Sequence, residues 1–343
     1  MKRHTSPTVA VVGATGAVGR TMQSILAERD YPAAGLRLFA SSRSAGTVVA
    51  TPWGDVTVED LATADPSGVD VALFSAGGSR SKQYAPAFVE AGATVIDNSS
   101  AFRMDPAVPL VVADVNDDAI ESHAGIVANP NCTTMALLMA AGPLHRAARI
   151  TRMVASSYQA TSGSGQQGME TLASELEWFG RDRASLQYGG WEDPGGGLYQ
   201  RPIGYNVLPM AGAITDEGYT DEEWKLVHET RKILDAPNIE VEPFCVRVPT
   251  MVGHGIAATM FFERPVGVAE AKEILADAPG AQLWGDDHVP TPLDSAGIDD
   301  VLIGRVRATV GEPGGINLWV VGDNLRKGAA LNAVQLAELL LDR

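Results

Sequence analysis

A chain of 343 residues exceeds what one ordinary core organises, and its 45% apolar and 20% charged residues are the balance of a folded globular protein, so two domains are expected and disorder is not. With 42 Asp and Glu against 26 Lys and Arg the net charge is -16, which argues against nucleic acid as a partner, because such binding relies on clustered bases neutralising phosphates. Two cysteines, Cys132 and Cys245, argue against a disulfide framework and a cysteine-based zinc site, so no metal is called for and a reducing cytoplasm is the expected setting.

Met1-Lys2-Arg3-His4 leads straight into a strand at Thr8 to Val12, without a hydrophobic leader. No apolar run is long enough to span a bilayer as a helix, so no membrane partner is expected. Next comes Gly13-Ala14-Thr15-Gly16-Ala17-Val18-Gly19, which opens a helix. In that setting glycines allow a tight turn and close approach of backbone to a pyrophosphate, so Gly13, Thr15, Gly16, Ala17 and Val18 are candidate cofactor contacts. The spacing is GxxGxxG rather than GxGxxG, and such a turn can also be purely structural.

The second strand, Leu36 to Ala40, ends in Ser41-Ser42-Arg43-Ser44. NAD-specific folds place an acidic residue at this point, whereas hydroxyls and a guanidinium suit the extra phosphate of NADP. Ser41, Arg43 and Ser44 therefore point to NADP, with a solvated turn as the alternative. Strands at Val69 to Ser75, Thr94 to Asp97 and Gly125 to Ala128 continue an alternation with amphipathic helices, the signature of βαβ units in a mainly parallel sheet.

At Asn129-Pro130-Asn131-Cys132-Thr133-Thr134 a buried strand gives way to an apolar helix beginning near Thr133. A cysteine there feels the positive end of the helix dipoles and nearby N–H groups, which favour a thiolate and can bind an oxyanion. Cys132 is the candidate nucleophile, and the plain alternative is a small apolar filler.

Beyond Cys132 the strands lengthen: Arg149 to Ala160, Ile239 to Val248, Gly255 to Phe262, Val301 to Val310 and Asn317 to Val321. Helices near Gly168 to Phe179, Asp221 to Leu234 and Val268 to Ala276 interrupt them, which implies a mixed sheet covered by helices. Gly189 to Pro202 reads as an irregular loop, Asp216 to Glu223 as a mostly solvated helix start and Cys245 as core. Leu325 to Leu341 reads as an apolar helix that packs back on the first domain. The expected fold is α/β, a Rossmann-type doubly wound parallel sheet (1–131, with 324–343) plus a second α+β domain with a mixed sheet (132–323).

Several polar residues sit where strands end. His254 lies in a Gly-His-Gly turn, and an imidazole can take or give a proton near neutral pH, although a lone loop histidine means little. Arg103 and Arg247 carry planar forks that grip carboxylate or phosphate. Gln159 is polar but uncharged, so it can orient a carbonyl without competing as a base. Glu222 and Lys225 are three apart on a predicted helix, either a ligand-binding face or a surface ion pair.

Taken in order with Asp97-Asn98-Ser99-Ser100-Ala101-Phe102-Arg103, Gln159-Ala160-Thr161-Ser162-Gly163, Glu222-Glu223-Trp224-Lys225, Arg247-Val248-Pro249, Gly253-His254 and Asp323-Asn324-Leu325-Arg326-Lys327-Gly328, these motifs carry a family likeness. Over nearly its whole length the chain resembles bacterial aspartate-semialdehyde dehydrogenases. The resemblance implies NADP- and phosphate-dependent oxidation of L-aspartate 4-semialdehyde to 4-phospho-L-aspartate, physiologically run in reverse toward lysine, threonine and methionine. It implies Cys132 as acyl-carrying nucleophile, His254 as acid and base, and Gln159 as the group positioning the carbonyl. It further implies Arg247 and Glu222 as ligands of the substrate carboxylate and ammonium, with Arg103, Lys225 and Asn98 binding phosphate. Ser162, Gly163 and Asn324 would approach the nicotinamide, and a homodimer or dimer of dimers is expected.

The sequence departs from the family pattern at Gly255, Gly322 and Met210, and in the loop before Gly204. Rivals are N-acetyl-γ-glutamyl-phosphate reductase, whose cysteine usually follows Pro-Gly, the more distant glyceraldehyde-3-phosphate dehydrogenase, and a non-catalytic paralogue, which would be expected to lose the thiol or the imidazole.

Overall fold

The computed structural model describes residues 6–341; Met1-Lys2-Arg3-His4 and the last two residues of the 324–343 segment lie outside the described residues. The chain forms two compact units, one running to Asn131 with Lys232–Ala236 and the chain from Leu325 on, the other comprising Cys132–Arg231 and Pro237–Asn324.

The first unit is built on seven strands: β1 (Thr8–Val12), β2 (Gly35–Ala40), β3 (Val48–Thr51), β4 (Gly54–Asp60), β5 (Val71–Phe74), β6 (Thr94–Asp97) and β7 (Ile126–Ala128). Their order is β3-β4-β2-β1-β5-β6-β7, parallel throughout except for the β3–β4 hairpin. Strand side chains alternate between faces, so each strand feeds two cores. Val9, Val11, Leu36 and Leu38 pack on one face with Met22, Ile25 and Leu26 of helix α1 (Ala17–Glu28) and with Leu331, Val334 and Leu336 near the C-terminus. Ala10, Val12, Phe39 and Phe74 pack on the other with Ala85 and Phe88 of helix α2 (Gly78–Glu90). The chain leaves β1 toward β2 on one side and later reaches β5 on the other. That reversal sets a crevice at the end of β1, directly above Gly13. The hairpin carries no strong strand pattern in the sequence because it is a half-exposed sheet edge, with Val48 58% exposed.

The second unit begins with helix α3 (Cys132–Ala148), buried along almost its full length. It continues through β8 (Ile150–Gln159), α4 (Gly165–Gly180), α5 (Arg183–Tyr188), α6 (Asp221–Ile233), β9 (Glu240–Arg247), β10 (His254–Phe262), α7 (Val268–Ala276), β11 (Ala281–Leu283), α8 (Pro292–Ser295), β12 (Val301–Ala308) and β13 (Ile316–Gly322). Six strands form a mixed sheet in the order β11-β12-β13-β10-β8-β9. Residues 326–330 form one π turn before α9 (Leu331–Leu341), which packs on α1 within the first unit.

The path α3–β8 positions the second unit's site. Helix α3 packs against β8, the strand that ends in Gln159. Antiparallel β10 then starts with His254 directly opposite Gln159, parallel β9 ends with Arg247 beside Gln159, and β13 ends with Gly322 opposite His254.

Candidate active site

In the first unit the turns after β1 and β2 line a cavity of about 330 Å³ that includes Gly13, Thr15, Gly16, Ser41 and Arg43. Gly13 has φ +88°, and a Cβ there would stand 2.3 Å from the Ser75 carbonyl oxygen, so only glycine fits. The N–H groups of Gly13 and Ala14 both donate to the Phe39 carbonyl, and Thr15 and Ser44 share a hydroxyl contact of 3.3 Å, which ties the two turns together. Ala17 starts α1, Val18 packs toward the core, and the first turn of α1 holds no acidic residue to neutralise its N–H groups. Sequence reasoning found no carboxylate at the end of β2, and that holds for β2 itself. The cavity wall, however, takes Asp60 from the end of β4, which pairs with Ala40, and Arg80 from α2.

The same unit holds Asn98 and Arg103. Arg103 is buried, donating from Nε to the Asn129 carbonyl at 2.9 Å and from Nη2 to the Asn98 carbonyl at 2.9 Å. Three backbone carbonyls, of Arg103, Asp105 and Val108, receive the Lys232 ammonium at 2.7–2.8 Å, which fixes the loop that bears the arginine. Asp97 is buried beneath; burial raises its carboxyl pKa against the opposing pull of the Ser81 and Ser99 bonds and of Arg103.

In the second unit Cys132 is the first residue of α3 and is partly exposed. The helix thus begins at the cysteine itself, one residue before the expected start. His254 is fully buried; its Nδ1 accepts the Ala160 N–H at 3.0 Å, and its Nε2 has no partner among the described residues. A buried, unpartnered ring nitrogen is costly, so it marks a place where a ligand atom completes the bond. Burial and then the Arg247 guanidinium hold its pKa down to about 3, so the ring is neutral at working pH.

Gln159, also buried, accepts the Ser157 hydroxyl on Oε1 at 3.0 Å and donates from Nε2 to Glu222 at 3.0 Å. Arg247 is buried; it donates from Nη1 to the Ala160 carbonyl at 2.9 Å and, among the described residues, makes no other side-chain hydrogen bond, so the rest of its fork is uncommitted. It borders a cavity of about 720 Å³ walled by Tyr199, Leu208 and Met210. A Cβ on Gly163 would stand 2.9 Å from Arg247 Nη1 and 3.2 Å from His254 Nε2, so the missing side chain is what lets these two groups share one space. Asn324 Oδ1 accepts from the Ser162 hydroxyl at 3.0 Å and the Gly253 N–H at 2.9 Å, which fixes the turn before His254.

The ion-pair alternative for Lys225 is realised: its ammonium lies 2.7 Å from Asp221 and 3.1 Å from Glu222. Burial works against its charge, but the two carboxylates outweigh that and raise its pKa. The helix start is less solvated than the run of acids suggested, since Glu222 and Glu223 are both buried. Glu223 closes a capping box with Thr220 and accepts the Cys245 N–H at 2.8 Å, fastening α6 to β9. Sequence reading passed over Glu223 and Ser157. The Thr-x-x-Glu spacing signals the first, and the two-residue offset from Gln159 along a strand signals the second. Gly255, a departure from the family pattern, is explained by Trp319, whose ring leaves 2.3 Å for a Cβ there.

Two family models match the chain: semialdehyde dehydrogenase, NAD binding domain, over residues 8–123, and semialdehyde dehydrogenase, dimerisation domain, over residues 141–327. It is 50% identical to the aspartate-semialdehyde dehydrogenase of Corynebacterium glutamicum, covering 97% of this chain and 99% of that one. It is likewise 50% identical to that of Streptomyces akiyoshiensis, over 97% and 98% of the two chains. Among solved structures, aspartate semialdehyde dehydrogenase II of Vibrio cholerae, complexed with ASA, superposes with a TM-score of 0.92 at 42% identity, covering 99% of each chain.

Proposed function

Because the chain belongs to the aspartate-semialdehyde dehydrogenase family, we propose that it converts L-aspartate 4-semialdehyde, NADP and phosphate into 4-phospho-L-aspartate, running physiologically in reverse toward lysine, threonine and methionine. The observation that carries this reading is the buried, unpartnered Nε2 of His254, held beside Arg247 over a side-chain-free Gly163.

An aldehyde carbon has no leaving group, so a nucleophile must first make it tetrahedral. Cys132 does so from the N-terminus of α3, where the helix dipole favours a thiolate. The sulfur–carbon bond of the thiohemiacetal forms as the carbonyl π pair moves onto oxygen. That oxygen is met by His254, whose Nδ1 is already occupied, so Nε2 is the atom that holds or exchanges its proton. Gln159 keeps an amide beside the same strand end, locked between Ser157 and Glu222, to orient the carbonyl. The uncommitted part of the Arg247 fork takes the substrate carboxylate in two parallel hydrogen bonds, and Glu222 takes its ammonium.

A bound nicotinamide would supply the two-electron acceptor that oxidation of the adduct to the thioester level requires. The turn at Gly13 fits such a cofactor, because its missing Cβ and the acid-free start of α1 admit a pyrophosphate, and Ser162, Gly163 and Asn324 serve its nicotinamide end. Ser41, Arg43 and Ser44 favour the 2′-phosphate, and Asp60 in the same wall opposes it, so the balance between NADP and NAD rests on Arg43. Phosphate, bound by Arg103, Lys225 and Asn98, then attacks the thioester carbon and releases the thiolate of Cys132.

A homodimer, or a dimer of such dimers, is supported by the dimerisation-domain match and by Val154, Tyr158 and Phe244, which stand 38%, 39% and 52% exposed on β8 and β9. The net charge of -16 argues against nucleic acid as a partner, and among the described residues no helix is long and apolar enough to cross a membrane. The deciding experiment measures NADPH formation from L-aspartate 4-semialdehyde with and without phosphate, beside the same assay on N-acetyl-L-glutamate 5-semialdehyde. Turnover that ignores phosphate, or that prefers the longer acetylated substrate, overturns the reading.

A further inference from the structure

The first unit contains a row of three amides that lines neither the cofactor cavity nor the second unit's site. Asn332 and Asn129 are fully buried, and Asn98 is half-buried at the end of the row. A buried amide is tolerated when each of its polar atoms finds a partner, and here the partners run in one direction. Asn332 Oδ1 accepts the Ala113 N–H at 2.9 Å, while its Nδ2 donates to the Val111 carbonyl at 3.0 Å and to Asn129 Oδ1 at 2.6 Å. Asn129 Nδ2 donates in turn to the Ala329 carbonyl at 3.0 Å and to Asn98 Oδ1 at 2.7 Å.

No member of the row can turn over alone. A reversed Asn332 would set N–H against the Ala113 N–H and oxygen against the Val111 carbonyl. A reversed Asn129 would set its oxygen against those of Ala329 and Asn98. Fixed backbone groups therefore impose a polarity that travels through two side chains to a third. Asn98 ends the row with Oδ1 committed inward, and its Nδ2 has no partner among the described residues. The carbonyls of Asn98 and Asn129 also accept from Arg103, so the guanidinium and the outer amide are held by the same two residues.

We infer that Asn129 and Asn332 are positioning residues that set the Asn98 amide to face outward with its N–H groups, making Asn98 and Arg103 a donor pair for a phosphate-class anion. This rests on the reading of Asn98 and Arg103 as phosphate ligands. An outward amide oxygen would repel an oxyanion, so the orientation decides whether Asn98 helps or hinders binding.

The test reads the KM for inorganic phosphate in the semialdehyde-oxidising direction, beside the KM values for aldehyde and NADP. Asn98→Ala removes the donor and should raise the phosphate KM about tenfold, the usual loss for one hydrogen bond to a charged group. Asn129→Asp keeps the shape but cannot donate, so Asn98 turns its Nδ2 inward; a similar rise is expected, with the other two KM values within about twofold. Because both changes act through one amide, the double variant should be no worse than Asn98→Ala.

If Asn98→Ala leaves the phosphate KM unchanged, the phosphate reading of Asn98 fails and the proposal falls with it. If Asn98→Ala acts but Asn129→Asp does not, or the two effects multiply in full, the phosphate reading stands and the relay is overturned. Asn332→Asp repeats the test one amide further from the anion, in case the nearer carboxylate unfolds the chain. There, a rise confined to phosphate supports the relay, and no rise, or an equal rise in all three constants, overturns it.

Discussion

The two units build their sites in opposite ways. In the first, the chemistry-bearing residues are neighbours in sequence, Gly13 to Val18 and Ser41 to Ser44, because parallel strands end together at one edge and each is followed by its own turn. In the second, Gln159, Glu222, Arg247 and His254 come from separate elements and meet only through strand register, Gln159 opposite His254 and beside Arg247. The first site is therefore made of backbone and the second of side chains. A change of equal size should break the fold at one and the chemistry at the other.

The largest effect is expected in the second unit. His254→Ala should lower kcat by at least about a hundredfold, the span of acid–base catalysis, while alkylation of Cys132 by a thiol reagent proceeds as before. Retained turnover would remove His254 from the mechanism. Next comes a matched pair of glycine substitutions. Gly163→Ala meets side chains, Arg247 Nη1 and the His254 ring, rather than backbone, so we expect a smaller loss of thermal stability than at Gly13 with kcat/KM down about tenfold or more. Gly13→Ala meets the Ser75 backbone at positive φ, so the melting temperature should fall together with cofactor affinity, a cost of at least about 1–2 kcal/mol. Equal melting temperatures for the two variants would erase the distinction between backbone-built and side-chain-built sites.

Arg247→Lys keeps the charge but loses the fork, and the substrate KM should rise about tenfold with little change in the KM for NADP. Arg43→Ala should do the converse within the first unit, raising the KM for NADP several-fold more than that for NAD. Equal shifts would show that Asp60, not Arg43, governs the pocket.

Two buried bases, one in each unit, give effects that depend on pH. Between pH 6.5 and about 3 the unfolded chain protonates the His254 imidazole while the folded protein does not, so stability declines as pH falls through that window. The slope from this group is at most about 1.4 kcal/mol per pH unit, and it should vanish in His254→Ala denaturant titrations. Lys327, wholly buried and bonded to the Ala113 carbonyl and Gln335, has its pKa lowered to about 8 by burial. Between about 8 and the ordinary 10.5 the unfolded chain again binds the extra proton, so this group adds stability as pH rises. Denaturant titrations of Lys327→Met that keep the wild-type slope in that range would assign it elsewhere.

Much of the architecture was legible because periodicity reports burial. Thr8–Val12, Thr94–Asp97 and Val268–Ala276 were delimited to the residue, since each is bounded by turn or cap residues. The β3–β4 hairpin escaped because an exposed edge carries no consistent apolar face, and β11 because three residues are too few for a period to show. The run Asp216 to Glu223 reads as a mostly solvated helix start from which only Glu222 stands out as a candidate ligand, whereas helix α6 turns both Glu222 and Glu223 inward, one to Gln159 and one to the Cys245 backbone.

By itself the sequence determined the order of strands and helices, the glycine turn above β1 and the cysteine at a helix start, because these depend on φ/ψ preferences and burial over a few neighbouring residues. Only the tertiary structure decided which polar atoms face one another: Ser157 on Gln159, Gly163 beneath His254 and Arg247, and Asn332 behind Asn129. Hydrogen bonds act over about 3 Å and between residues as much as 309 positions apart, so their partners are set by register and packing rather than by local spacing.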